Sequence, residues 1–165
     1  MGRKQEDIRR SALAYLESHW VMTLATSGAE GPWAAAVFYA SQEFELVFLS
    51  ADRTRHIHDL AHNARVAATI QEDYREWTEI KGIQMEGLVH KLTGDDRKSA
   101  VSMYQDKYPF IVSAGAQIQS AIMGVSWFRL VPDHLYFIDN SLGLGHRDAI
   151  DLHLDDGKPP YLSDL

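Results

Sequence analysis

Short runs of alternating apolar and polar residues recur along most of the chain, which is the pattern of half-buried β-strands. These runs predict strands at residues 20–26, 33–40, 44–50, 65–71, 80–93, 126–131 and 135–138. Turn-forming pairs separate neighbouring strands, namely Ser27-Gly28, Gly31-Pro32 and Pro132-Asp133. Gly82 and Gly87 lie inside the long fifth run, where they favour a bulge or a sharp bend.

Three segments follow the helical period instead. An amphipathic helix is predicted within residues 1–19, a second helix at 53–63 with Asn63 as its C-cap, and a third at 95–107. Six or seven short strands with mostly hairpin-length connections predict an antiparallel barrel, with one helix crossing between strands three and four. We therefore expect a mainly β single domain over residues 1–165, with peripheral helices and an irregular tail at 155–165.

The amino-acid composition excludes several classes of protein and of functional site. The 165 residues, 45% hydrophobic and 24% charged, match an ordinary globular domain that is large enough to bury a core. The absence of cysteine excludes disulfides, thiolate metal sites and thiol nucleophiles. No signal peptide or membrane-spanning run is recognisable, so a cytoplasmic protein with no membrane partner is expected. A net charge of -7 without a basic tract argues against nucleic acid as a partner.

The charge pattern is inverted at the start of the second helix. Arg53, Thr54, Arg55 and His56 occupy this position, although the first turn of a helix favours acidic residues and bound anions. A phosphate group held by backbone N–H groups, the Thr54 hydroxyl and the guanidinium groups would explain the placement. The alternative, that both arginines are solvated surface residues, stays open at this point.

The turn after the third strand completes a wider resemblance. From residue 20 to residue 147, the order of elements and residues resembles the pyridoxamine 5'-phosphate oxidase-like family of FMN-binding split barrels. Thr54, Arg55 and His56 match positions where that family places a serine or threonine and two basic residues on the FMN phosphate, with histidine here in place of the usual lysine. The resemblance implies a split β-barrel of six or seven strands that forms a homodimer with FMN at the subunit interface.

Further cofactor contacts are implied by the same resemblance. The second strand would pass along the flavin ring, and the end of the third strand would contact the ribityl chain or the ring. The start of the fifth strand would add contacts, and the turn after the last strand would reach the cofactor of the partner chain. A polar glycine turn without a ligand is the alternative for that last turn. The implied residues are Ala35, Ala36, Val37, Leu49, Ser50, Trp77, Lys81, Gly82, Asp139, Asn140 and Arg147.

Two departures from the family pattern concern the substrate. The second strand lacks the arginine that pyridoxamine oxidases carry there, and Tyr39 occupies the position of their substrate-binding lysine. Because the phosphate of pyridoxamine 5'-phosphate needs fixed positive charge, these losses argue against that substrate. No motif identifies a catalytic side chain. His58 and His62 are interpreted as a solvated helix face, so no metal site is predicted.

Two classes of function follow from the resemblance. As an enzyme, the protein would be a flavin-dependent oxidoreductase that takes electrons from a reduced nicotinamide and passes them to a small acceptor or to oxygen. As a non-catalytic protein, it would bind FMN, haem or a deazaflavin without turnover. A third interpretation, a dimer whose barrel is only a scaffold, is not excluded by fold analogy.

Overall fold

A computed structural model describes residues 4–113 and 115–154. The tail predicted at 155–165 lies outside the described residues. Two 3-10 turns, Trp77–Glu79 and Asn140–Leu142, accompany the helices and strands. The helices are α1 (Gln5–Ser18), α2 (Arg55–His62), α3 (Gly94–Lys107), α4 (Pro109–Ser113) and α5 (Ala116–Met123), and the strands are β1 (Val21–Gly28), β2 (Gly31–Gln42), β3 (Glu45–Ser50), β4 (Arg65–Gln71), β5 (Lys81–Lys91), β6 (Ser126–Asp139) and β7 (Arg147–Ala149).

The strands form an antiparallel barrel. Their order is β3-β2-β1-β4-β5-β6-β7, and β3 also pairs with the first part of β6, which closes a ring of six strands and leaves β7 as an extra strand. Helix α2 makes the connection between β3 and β4. The mainly β, antiparallel split-barrel prediction is therefore confirmed. Among the described residues, no helix is long and apolar enough to cross a membrane.

The last long strand differs from the prediction. Residues 126–131 and 135–138 were expected to be two strands joined by a turn at Pro132-Asp133, and this is wrong, because β6 runs without interruption from Ser126 to Asp139. The irregularity is a bulge within β6, because Glu86 pairs with His134 and Gly87 with Pro132, which leaves Asp133 as the extra residue opposite β5. A Cβ on Gly87 would lie 2.0 Å from the Val131 carbonyl oxygen. The bulge predicted from the glycines is confirmed opposite Gly87, whereas Gly82 pairs regularly.

Two hydrophobic clusters build the core. The larger one fills the barrel, and α1 adds Ile8, Ala12 and Leu16 to it. The second lies on the other face of β2, β3 and β6, which is covered by Tyr104 of α3, by Tyr108 between the two helices and by Ile111 of α4. The outer faces of β1, β4 and β5 lack such a cover, since alternate residues there are exposed or only partly buried. One face of the sheet is thus open.

Helix α2 is held against β1 by a buried polar contact. Thr26 Oγ1 donates to Asp59 Oδ2 at 2.8 Å, and both residues are buried. Gly28 makes this approach possible, because a Cβ there would lie 2.0 Å from Asp59 Oδ1. The helix predicted at 53–63 begins at Arg55, with Asn63 as its C-cap as expected. Its first turn is thereby fixed beside the end of β3.

Candidate functional site

The α2 turn, residues 50–56, joins the end of β3 to the first turn of α2. Ser50 Oγ lies 2.8 Å from His56 Nε2, and Thr54 Oγ1 lies 3.2 Å from both Ser50 Oγ and His56 Nε2. Thr54 also donates its hydroxyl hydrogen to the Ala51 carbonyl at 2.9 Å. As the N-cap residue, Thr54 makes no side-chain hydrogen bond to the first turn. Ile57 N donates to the Thr54 carbonyl at 3.1 Å, so within the described residues the N–H groups of Arg55 and His56 are left for another acceptor.

Burial decides the charge of His56. The residue is 9% exposed, and desolvation lowers its pKa below the ordinary value of 6.5, while the negative charge of Asp59 opposes that shift. The imidazole is consequently neutral at pH 7. It therefore lacks the positive charge of the lysine that occupies the matching position in the family.

Arg55 extends to the β1–β2 turn. Its Nη2 donates to the Glu30 carbonyl at 3.2 Å, its Nη1 lies 3.8 Å from Glu30 Oε2, and its guanidinium carbon lies 4.6 Å from the centre of the Trp33 ring. Its Nε is buried and has no hydrogen-bond partner among the described residues. Arg53 and Arg55 line an open cavity of about 280 Å³ that Ser50, Thr54 and His56 do not line. The residues predicted to bind the phosphate are thus neighbours in sequence, but they do not form one cluster in space.

The second strand presents small side chains to the open face. Ala36 is exposed and pairs with Thr23 of β1, which pairs in turn with Thr69 of β4. Ala35 is partly buried and Val37 points into the barrel core, so these two could meet a ligand mainly through their backbone groups. Leu49 of β3 pairs with Trp127 and packs against the second cluster.

The loop pair, residues 72–80 and 140–146, holds the predicted residues Trp77 and Asn140, and it is flanked by Lys81, Gly82, Asp139 and Arg147. Asn140 Nδ2 donates to the Trp77 carbonyl at 2.9 Å, and Asn140 Oδ1 accepts from Gly145 N at 3.1 Å. Asp139 accepts hydrogen bonds from Ser141 N and Ser141 Oγ. Its Oδ2 lies 3.6 Å from Lys81 Nζ. The polar groups of Asp139 and Asn140 are thus engaged in holding the two loops together.

Three predicted residues near the loop pair have other surroundings. A Cβ on Gly82 would lie 2.9 Å from the Ile70 carbonyl oxygen, so close packing of β5 on β4 already requires glycine there. The guanidinium carbon of Arg147 lies 5.1 Å from the centre of the Tyr136 ring. Trp77 is 53% exposed, so its ring is open to a planar ligand.

The α2 turn and the loop pair lie apart in one chain. Ser50 at the end of β3 pairs with Ser126 at the start of β6, whereas Lys81 pairs with Asp139 at the end of β6, and the 13 residue steps between these two positions span roughly 40 Å of extended strand. The fold therefore brings Ser50, Thr54 and His56 together, and separately brings Lys81, Asp139 and Asn140 together. A single site that used both groups would need two copies of the chain.

Several residues beside the loop pair were missed by sequence reasoning. An open cavity of about 840 Å³ there is lined partly by Tyr15, His19, Glu72 and Lys81. The rings of Tyr15 and His19 stack with centres 3.7 Å apart, Tyr15 donates to the Lys81 carbonyl at 3.0 Å, and His19 Nε2 lies 2.9 Å from Glu72 Oε1. Their spacing of four residues near the end of α1 was the available signal. Within the described ranges, no group of three His, Asp or Glu side chains could hold a metal ion.

Comparison with known proteins agrees with this fold. A family model described as pyridoxamine 5'-phosphate oxidase matches residues 8–139, and the chain belongs to that family. The UPF0306 protein of Photorhabdus laumondii is 30% identical over 135 residues, which cover 81% of this chain and 88% of that protein.

Two solved structures with the same fold belong to proteins that are named for different ligands. A haem-binding protein from Mycobacterium smegmatis has a TM-score of 0.68 and 24% identity over 90% of this chain, which spans 59% of that protein. An FAD-binding protein from Mesorhizobium loti has a TM-score of 0.56 and 20% identity, covering 76% of this chain and 90% of that one. At these identities the likeness concerns the fold alone.

Proposed function

We propose that the protein is an FMN-binding homodimer that acts as a flavin-dependent oxidoreductase. The observation that carries this proposal is the α2 turn, where hydroxyl and imidazole groups meet at the first turn of a helix and the Arg55 guanidinium lies beside it. Ser50 and the buried Arg55 Nε supply donors, and the first N–H groups of α2 add more. A phosphate monoester is the group that such a set of donors suits best.

The rest of the cofactor would lie along β2. The exposed Ala36 and the partly buried Ala35 leave room for a planar ring close to the backbone, and Leu49 and Ser50 follow at the end of β3. FMN, when bound, would supply the electron-transfer chemistry, while the protein orients it and excludes water. No side chain of the chain is assigned as a catalytic acid or base.

The separation of the two predicted groups supports a dimer. Lys81, Asp139, Asn140 and Arg147 lie too far along the sheet to join the α2 turn of the same chain, so a partner subunit would have to bring them. The open sheet face, with the small side chains of Ala25, Ala36 and Ala67, gives a surface on which a second barrel could pack. A cytoplasmic location and a small-molecule electron donor or acceptor remain predictions.

A non-catalytic cofactor-binding protein is the second candidate. The likeness to a haem-binding protein favours haem as its ligand. A deazaflavin is the other alternative to FMN, since it shares the phosphate and a similar tricyclic ring.

The test is an absorbance spectrum of the purified protein before and after addition of FMN or haem, with the excess removed by gel filtration. Retained flavin bands, a mass of two chains, and bleaching by NADH or NADPH would support the flavin enzyme. Retained flavin without reduction would favour the non-catalytic candidate. A protein that holds haem and never FMN would contradict the proposal.

A further inference from the structure

Thr54 has one hydroxyl hydrogen, and the fold already uses it. The Ala51 carbonyl can only accept, so the 2.9 Å contact fixes Thr54 as the donor. The same carbonyl accepts from Thr54 N at 3.0 Å, which closes the turn. In every other contact, therefore, the Thr54 oxygen can only accept.

This assignment restricts the tautomer of His56. Were the hydrogen on Nδ1, Ser50 could donate to Nε2 at 2.8 Å, but the Nε2 lone pair would also face the Thr54 oxygen at 3.2 Å with no hydrogen between them. With the hydrogen on Nε2, that atom can donate to Ser50 Oγ at 2.8 Å and share the bond with Thr54. Because His56 is only 9% exposed, water cannot readily relieve an unfavourable contact.

The remaining hydrogen belongs to Ser50. Its oxygen accepts from His56, and the Thr54 oxygen, 3.2 Å away, is a more distant acceptor that already shares the Nε2 hydrogen, so the Ser50 hydrogen can turn outward. We propose that His56 is a positioning residue, held as the Nε2–H tautomer, which orients Ser50 as the hydroxyl donor to an oxygen of the bound phosphate cofactor, while Thr54 binds only the chain. This inference rests on the proposed FMN site and changes which hydroxyl acts there.

The tautomer can be measured without any cofactor. Long-range ¹H–¹⁵N NMR of the cofactor-free protein at pH 7.5, with His56→Gln for assignment, distinguishes protonated from unprotonated ring nitrogens. The proposal predicts a protonated Nε2 and an unprotonated Nδ1. The Nδ1–H tautomer, or a doubly protonated ring, would overturn it.

The role of each hydroxyl is tested by FMN titration of two matched variants. Ser50→Ala removes the outward donor and is expected to weaken FMN binding about tenfold, as for a hydrogen bond to a charged group. Thr54→Val keeps the shape and is expected to change FMN affinity less than threefold while lowering thermal stability. Equal losses in both variants, or no loss in Ser50→Ala, would overturn the assignment.

The two failures are separable. If the parent protein retains no FMN, the proposed function fails, and the hydroxyl assignment to a cofactor fails with it, whereas the NMR result still decides the tautomer. If the parent binds FMN and Ser50→Ala binds it equally well, only the further inference fails. His56→Leu should lose as much FMN affinity as Ser50→Ala, and His56→Gln should recover part of it, because its amide can still donate.

Discussion

The α2 turn and the loop pair contain similar polar side chains that are used in different ways. In the loop pair, both ends of the Asn140 amide bind backbone groups, and Asp139 binds Ser141 and Lys81. In the α2 turn, the Arg55 Nε lacks a partner among the described residues, and the Ser50 hydrogen has no obligatory acceptor. A polar residue at a position that matches the family pattern therefore indicates a ligand only when one of its hydrogen-bond donors or acceptors has no partner within the fold.

The largest effect is expected on stability, in the loop pair. Asn140 is buried, and Asn140→Ala would leave the Trp77 carbonyl and the Gly145 N–H without their partners. We expect the free energy of unfolding to fall by about 2–4 kcal/mol, measured by urea denaturation. Ser141→Ala, at an exposed site of the same loop, is the control and should cost less than about 1 kcal/mol. Equal costs in the two variants would mean that the Asn140 amide does not hold the loop pair together.

The next prediction concerns the support of the α2 turn. In Gly28→Ala the new methyl group would overlap Asp59, so α2 must move away from β1. We expect a loss of about 1–3 kcal/mol in unfolding free energy, with weaker FMN binding in the folded fraction. Gly31→Ala is the comparison variant. Position 31 has space for the methyl group, but its φ is +91°, so the substitution is expected to lower the unfolding free energy through backbone strain. A Gly28→Ala protein as stable as the parent would mean that α2 does not depend on this contact.

The pH dependence of stability should report His56. Its pKa is lowered in the folded state by burial, so the unfolded chain binds more protons below the ordinary value of 6.5. The stabilising contribution of the neutral ring is complete above pH 6.5 and is lost as the pH falls through the folded-state pKa. Unfolding curves of the parent and His56→Gln should therefore converge as the solution is acidified. A constant difference between them from pH 7.5 to pH 5 would show that His56 does not titrate as described.

A smaller effect is expected at Glu30. Its carboxylate lies 3.8 Å from Arg55 Nη1 and is largely exposed, so the pair contributes little to stability. It nevertheless competes with an anion for the same guanidinium. Glu30→Gln should tighten FMN binding by up to about threefold, measured by flavin fluorescence. Weaker binding in this variant would mean that Glu30 orients Arg55 rather than competing for it.

Sequence pattern predicted the barrel because strand periodicity and glycine positions are local signals. It located the bulge opposite Gly87 but misread Pro132 as the end of a strand, since the extra residue Asp133 lets β6 continue past Pro132. The short elements α4, α5 and β7 gave no pattern long enough to recognise.

The sequence predicted where the candidate site lies, but it did not predict which contacts the residues of the site make. The sequence placed Ser50, Thr54, Arg55 and His56 at one turn, and the structure keeps them there. It could not show that Arg55 reaches Glu30, which lies 25 residues away, or that burial keeps His56 neutral. For Asp139 and Asn140, residue type alone could not reveal that their polar groups are engaged within the fold.

The proposed function requires that the α2 turn binds the phosphate of a flavin. It is tested most directly by measuring the affinities of FMN and riboflavin, which lacks the phosphate, for the parent protein and for Arg55→Ala. We predict that the parent binds FMN at least about tenfold more tightly than riboflavin, and that Arg55→Ala loses most of this preference without weakening riboflavin binding. Equal affinities of the parent for the two flavins, or a preference that survives in Arg55→Ala, would contradict the account.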